Sequence, residues 1–191
     1  MTSPSEWKKE VKPNGKLWRG DMLPVGAPAA SDGFTLFLED RSDPKRYAKL
    51  KAERSVYTVE GSLTFDTTGA VPLRLNGVAD TRPWQRERLG RQTGLVLKYI
   101  AIFETVDQHR RTVIVNAERL RNAILVAKHE HCWLGEDGRV YLCDREETGL
   151  DLFGEAPRPL AAIAPMNGGP DMLREYQAHE RQYSAGDHHS A

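Results

Sequence analysis

The stretch that decides the fold runs from residue 95 to residue 143 and reads LVLKYIAIFETVDQHRRTVIVNAERLRNAILVAKHEHCWLGEDGRVYLC. Its opening, 95–106, is dominated by Leu, Val, Ile, Tyr and Phe, the composition of the strongest core strand in the chain. Asp107-Gln108-His109-Arg110 is a turn that leads into a second strand over 112–115. Asn116 then stands as an N-cap before Ala117, Leu120, Ala123, Ile124 and Ala127, which recur at helical spacing. A strand across 123–128 is the competing reading of that segment. The stretch ends in a hairpin, with Asp137-Gly138 as a two-residue turn between 130–134 and 139–143.

Outward from this stretch the elements are shorter. On the N-terminal side, Asn14-Gly15 marks a hairpin between 6–12 and 16–22, and the Pro-, Ala- and Gly-rich residues 23–33 read as a loop. A strand is expected over 34–39. Ser42-Asp43-Pro44 offers a cap followed by proline at the first helical position, which starts a helix running through Arg54. Strands are expected over 55–60 and 62–66 with a bend at Gly61, and another over 71–78, where Pro72 restricts the start to an edge. A short helix follows over 83–91. On the C-terminal side, 144–169 loses periodicity and reads as a partly ordered linker, 170–183 as a helix with Met172, Leu173 and Tyr176 on its apolar face, and 184–191 as a disordered end.

Together these elements predict an α+β fold: a mostly antiparallel sheet, barrel-like in one version, with two to three helices and a loosely attached C-terminal segment. The expected division is an α+β core domain over 1–144 and an acidic linker, short helix and flexible tail over 145–191. With 191 residues and 39% hydrophobic content, the chain suits one domain with a real core. No apolar run reaches the roughly 20 residues of a membrane span, and residues 1–15 lack the apolar core of a secretory signal. Two cysteines are too few for a disulfide framework, so a cytoplasmic location is expected.

Charge is distributed unevenly. Residues 1–128 hold 22 of the 27 Lys/Arg and 15 of the 27 Asp/Glu, a balance of +7; residues 129–191 hold the remainder, a balance of −7. Such a split points to a basic surface for polyanions beside an acidic appendage. The basic set comprises Arg41, Lys45, Arg46, Lys49, Lys51 and Arg54 on or beside the first helix, and Arg82, Arg86, Arg88 and Arg91 on the second. Arg110 and Arg111 follow in the turn, with Arg119 and Arg121 beyond. Guanidinium forks donate two hydrogen bonds to a phosphate, and Trp7, Trp18, Tyr47, Tyr57 and Trp84 are candidate stacking surfaces for bases. Each run taken singly is more often a solvated helix face; their recurrence in one region favours binding of nucleic acid, or of an acidic protein surface that resembles it. The acidic last third would then meet a second protein partner or compete for the basic surface.

His129, Glu130, His131, Cys132 and Cys143 are the remaining chemistry-bearing cluster. With a two-residue turn, Cys132 faces Cys143 as a hydrogen-bonded pair, about 5.5 Å apart at Cα, and His131 faces Asp144. The thiols would share an apolar face with Leu134 and Tyr141, reduced, while the histidines occupy the wetter face. Alternation then keeps imidazoles and thiols off one ion, so neither metal nor cofactor is expected. Glu104, Asp107 and His109, or His129 with His131, carry the alternative of a small metal-dependent hydrolase or nuclease. A structural or inhibitory protein that meets only protein is the third reading. No phosphate-binding glycine loop or nucleophile elbow is present, and a non-catalytic binding protein is the expectation.

Overall fold

The computed structural model of the chain describes residues 29–31, 34–38, 42–51, 57–58, 67–84, 98–145 and 157–186. The Asn14-Gly15 hairpin, the strand over 62–66 and the later part of the helix over 83–91 lie outside them; residues 82–84 form a helical turn. Among the described residues, nine strands form one antiparallel sheet. In chain order they are β1 (Ala29–Ser31), β2 (Thr35–Leu38), β3 (Tyr57–Thr58), β4 (Val71–Asp80), β5 (Tyr99–Thr105), β6 (Thr112–Asn116), β7 (His131–Leu134), β8 (Val140–Cys143) and β9 (Pro159–Ile163). Their spatial order is β3-β1-β2-β9-β8-β7-β4-β5-β6. Helices α1 (Pro44–Lys51), α2 (Ala117–Ala127) and α3 (Gly169–Gly186) complete the α+β architecture. The sheet stays open rather than barrel-like, with β3 and β6 at its edges. The outer side of β6 is engaged by the Met166 N–H, which donates to the Ile114 carbonyl at 2.8 Å.

The core follows from strand alternation. Ala101 and Phe103 of β5 and Val113 and Val115 of β6 point to the face that α2 covers with Leu120, Ala123, Val126 and Ala127. Ala117, Ala123 and Ala127 on that side of α2 let the helix approach the sheet closely. Ile100, Ile102 and Ile114 point the other way, where Leu173 and Tyr176 of α3 pack with Trp84 and Ala79. β5 is therefore buried on both faces, which is why its sequence is apolar at successive positions.

Local chemistry sets the helix starts. The Asn116 side chain accepts from Arg119 N–H at 3.0 Å, so the last residue of β6 is also the cap of α2. The same segment is helix up to Ala127 and excludes the strand alternative over 123–128. Lys128 ends it in the left-handed region (φ 60°), its N–H bonded to the Ile124 carbonyl at 2.8 Å. Asp43 caps α1 by accepting from Arg46 N–H at 2.9 Å. Lys128 Nζ reaches the Asp43 carboxylate at 2.6 Å, tying the end of α2 to the start of α1.

Four expectations are corrected. Ala29–Ser31, within the stretch read as a loop, is a strand paired to β2 and β3. Residues 159–163, within the expected linker, form β9, an inner strand between β2 and β8, all of it buried. Residues beyond 144 thus contribute to the same sheet. β4 is also an inner strand despite Pro72, which lies opposite Trp133 of β7. The Pro72 carbonyl accepts from Val106 N–H at 3.0 Å. A residue's N and C=O leave a strand on the same side, so the missing donor points past the end of the β5 ladder and costs the β7 ladder nothing.

The fourth correction is the register of the β7–β8 hairpin. His131 pairs with Cys143, Cys132 with Leu142, Trp133 with Tyr141 and Leu134 with Val140. The turn has three residues: Gly138 N–H donates to the Gly135 carbonyl (3.0 Å) and Gly135 N–H to the Arg139 carbonyl (2.9 Å). Gly138 follows the turn at φ +78° as a left-handed bulge residue. Asp137 favours this form by accepting from Arg139 N–H at 3.0 Å and from the Tyr141 hydroxyl at 2.6 Å. The displacement by one residue separates the cysteines. Cys132 joins the α2-side core, while Cys143 packs with Leu36, Leu38 and Tyr141 on the opposite face. Both are free thiols, each pushed up to about 12 by burial.

A Cβ added at Gly138 would meet nothing within 4 Å, so substitution there tests backbone strain alone. Gly138→Val is expected to lower unfolding free energy by about 1–3 kcal/mol, and Gly138→Asn by distinctly less, as read from chemical denaturation midpoints.

Candidate functional site

The hairpin register decides which side chains of β7 meet those of β4. Along β7, His131 and Trp133 share a face; along β4, Pro72 and Arg74 share a face. Trp133 lies directly opposite Pro72, and Arg74 is paired on its other side with Glu104 of β5. Arg74, His131 and Trp133 line a cleft of about 390 Å³ together with Pro72, Val106 and Glu130, and its inner wall is made by Leu73, Leu75, Phe103 and Cys132 from the α2 side of the sheet. That volume is at the lower end of the roughly 300–1,000 Å³ of small-ligand pockets. Trp133 is held in place by its indole N–H, which donates to the Arg145 carbonyl at 3.2 Å, and by contact with the Leu36, Leu38 and Tyr141 cluster. Val106 contributes an apolar side chain that remains 49% exposed. At Asn76 the strand β4 carries a bulge, one residue beyond the Leu75 wall of the cleft.

The β5–β6 turn adjoins the cleft through the Val106 to Pro72 bond. Thr105 Oγ1 donates to Asp107 Oδ1 at 2.6 Å and accepts from Arg111 N–H at 2.8 Å, which folds the turn back on β5. Arg110 takes φ 45°, its side chain exposed beside Arg111. Arg111 reaches Asp107 at 3.4 Å and Arg74 reaches Glu104 at 3.3 Å. The Thr105 hydroxyl and then the Arg111 charge hold the Asp107 carboxyl below its ordinary value of 3.8. Glu104 and Asp107, considered above as acid or base groups, each hold an arginine instead, and His109 is exposed in the turn. Among the described residues, no three His, Cys, Asp or Glu side chains are grouped to hold a metal ion.

The other residues of the basic set lie apart. Lys45 and Arg46 are exposed on the first turn of α1, near the end of α2. Arg82 sits at the opposite end of β5 from Arg110, about 20 Å along the strand. It forks onto Asp80, with Nε at 2.8 Å from Oδ1, and lies 4.9 Å over the Tyr99 ring; the carboxylate raises its pKa further above the ordinary range. Trp84 is only 7% exposed and meets Tyr176 edge to face, with ring centroids 6.3 Å apart. It is a core side chain and not a stacking surface. Arg41, Arg86, Arg88 and Arg91 lie outside the described residues, as does the side chain of Lys49. The cleft residues not foreseen are Arg74 and Trp133; His131, considered above as a metal or acid–base group, lines the cleft with them. Their signal was alternation along β4 and β7, which is informative only once the two strands are known to be neighbours.

Comparison with known proteins gives no match, whether to protein-family models, to curated proteins or to solved structures. Among the described residues, no helix is long and apolar enough to cross a membrane.

The depressed pKa of Asp107 has a defined consequence for stability. A carboxyl lowered by folding stabilises the native state above its unfolded pKa, and that contribution is lost as the pH falls through the folded value. Asp107→Asn should therefore reduce stability at neutral pH and flatten the loss of stability on acidification below about pH 4, as measured by denaturant midpoints across pH.

Proposed function

We propose that this chain is a non-catalytic binding protein that engages nucleic acid through basic side chains at one end of its sheet. The observation that supports this reading best is the grouping of Arg74 and His131 with Trp133 on one cleft, next to the turn that carries Arg110 and Arg111. Guanidinium groups provide paired donors for phosphate oxygens, and an indole provides a face for a base. Glu104 and Asp107 partly neutralise Arg74 and Arg111 in the free protein. Those pairs are exposed on the arginine side (69% and 54%), and surface pairs of this kind are worth only about 0–1 kcal/mol. A phosphate can displace such a carboxylate at little cost.

Lys45, Arg46 and Lys128 at the α1–α2 junction form a second cationic group that a longer polyanion would reach. The acidic excess after residue 129 is proposed to face a second protein partner or to compete for the basic end.

Binding of labelled oligonucleotides should weaken linearly in log K against log salt, with a slope of about −0.9 per phosphate neutralised on duplex and −0.7 on single strands. The double change Arg74→Gln with Arg110→Gln should weaken binding and flatten that slope by about one to two units. Failure to bind any oligonucleotide at low salt would contradict the reading. Binding of poly-glutamate alone would transfer it to an acidic protein surface.

A further inference from the structure

On the face of the sheet that carries Trp133, the side chains at the cleft form two adjacent rows. Trp133 and Pro72 are cross-strand partners, and Val106, bonded through its N–H to the Pro72 carbonyl, extends them into an apolar row. Two residues along each strand stand His131, Arg74 and Glu104, the polar row, in which Arg74 faces Glu104. Strand rise sets the rows about 7 Å apart, close to the span between a base and the phosphate of the same nucleotide. The apolar row is rigid: the indole is fixed by the Arg145 carbonyl and by the cluster behind it. Val106 is left 49% exposed.

From this geometry we infer that the cleft takes one unpaired nucleotide of a single strand, its base against Trp133 and Val106 and its phosphate on Arg74. The inference rests on the nucleic-acid reading above and makes it specific to single strands. Even with the part bounded by the core-side Leu73, Leu75, Phe103 and Cys132, the cleft is about 390 Å³, room for one small ligand and not for stacked base pairs. In a duplex the base faces are covered by their neighbours, so only unpaired bases can offer a π-face to the indole. Glu130, next to His131, lies at the polar end with Glu104, so only the apolar end offers a base a surface free of carboxylates. The ligand is therefore oriented, with base toward the Trp133 row and phosphate toward Arg74.

The test compares a fluorescein-labelled 15-nucleotide oligo-dT or oligo-dA with a duplex of equal length, at matched salt, using the full chain. The wild type is expected to bind the single strand at least about tenfold more tightly than the duplex, the scale of one base–aromatic stack. Trp133→Leu should remove that preference. Because Trp133 also packs against the sheet, the exposed Val106→Glu provides a second variant. It should abolish the preference through charge in the cleft while thermal unfolding stays close to wild type. Equal, steeply salt-dependent binding of both forms, untouched by Val106→Glu, would overturn the inference and leave the broader nucleic-acid reading standing. Absence of binding to either form at low salt would overturn both.

Discussion

The register of the β7–β8 hairpin is the constraint on which the site depends. It is set by one left-handed residue, Gly138, and by the Asp137 carboxylate that bonds Arg139 N–H and the Tyr141 hydroxyl. Because side chains alternate with a period of two, those few bonds decide the face of every residue from His131 to Cys143. With the observed register, Cys132, Leu134, Val140 and Leu142 build the core under α2. His131 and Trp133 are left beside Pro72 and Arg74 on the other face. A shift of one residue in β7 would turn the imidazole and indole toward α2 and bring Cys132 and Leu134 to the face of Pro72 and Arg74.

The rest of the architecture supports that arrangement. β4 carries the site on its first half, and β5 behind it is packed on both sides by helices that share no residues. α2 presses on Ala101 and Phe103, and α3 on Ile102 and, through β6, Ile114. A strand held from both faces gives the Arg74–Glu104 pair and the Thr105–Asp107–Arg111 turn a fixed base. The cleft thus combines walls held by the core with exposed cations at its rim.

How much of this was legible in the sequence depended on whether the signal was local. The β5 run, the Asn116 cap of α2 and the Asp43-Pro44 start of α1 are statements about neighbours in the chain, and the structure follows them. β1 and β9 were not legible, because Ala-Ala-Ser and Pro-Leu-Ala-Ala-Ile have little intrinsic strand preference. The small side chains of Ala161 and Ala162 suit β9 to a covered part of the sheet. The existence of the hairpin was legible from Asp137-Gly138, but that dipeptide serves two turns that differ by one residue, and only the Asp137 bonds separate them. Among the candidate residues, Arg110 and Arg111 were picked out by charge counting, and the structure places both exposed in the β5–β6 turn beside the cleft. Trp84 was misassigned because an aromatic beside arginines looks the same whether it is buried or exposed. Trp133 and Arg74 needed the β7–β4 pairing, which no local pattern reports.

The register can be measured through the chain's own thiol. In the observed pairing, Cys132 and Leu142 occupy a non-hydrogen-bonded position, where Cα atoms lie about 4.5 Å apart and a disulfide can close. The variant combining Leu142→Cys with Cys143→Ser should form a disulfide on mild oxidation, seen as the loss of two hydrogens in intact mass. The wild type, with its thiols on opposite faces, should not. A disulfide between Cys132 and Cys143 in the folded wild type, with none in the variant, would contradict the register and, with it, the placement of Trp133 and His131 in the cleft.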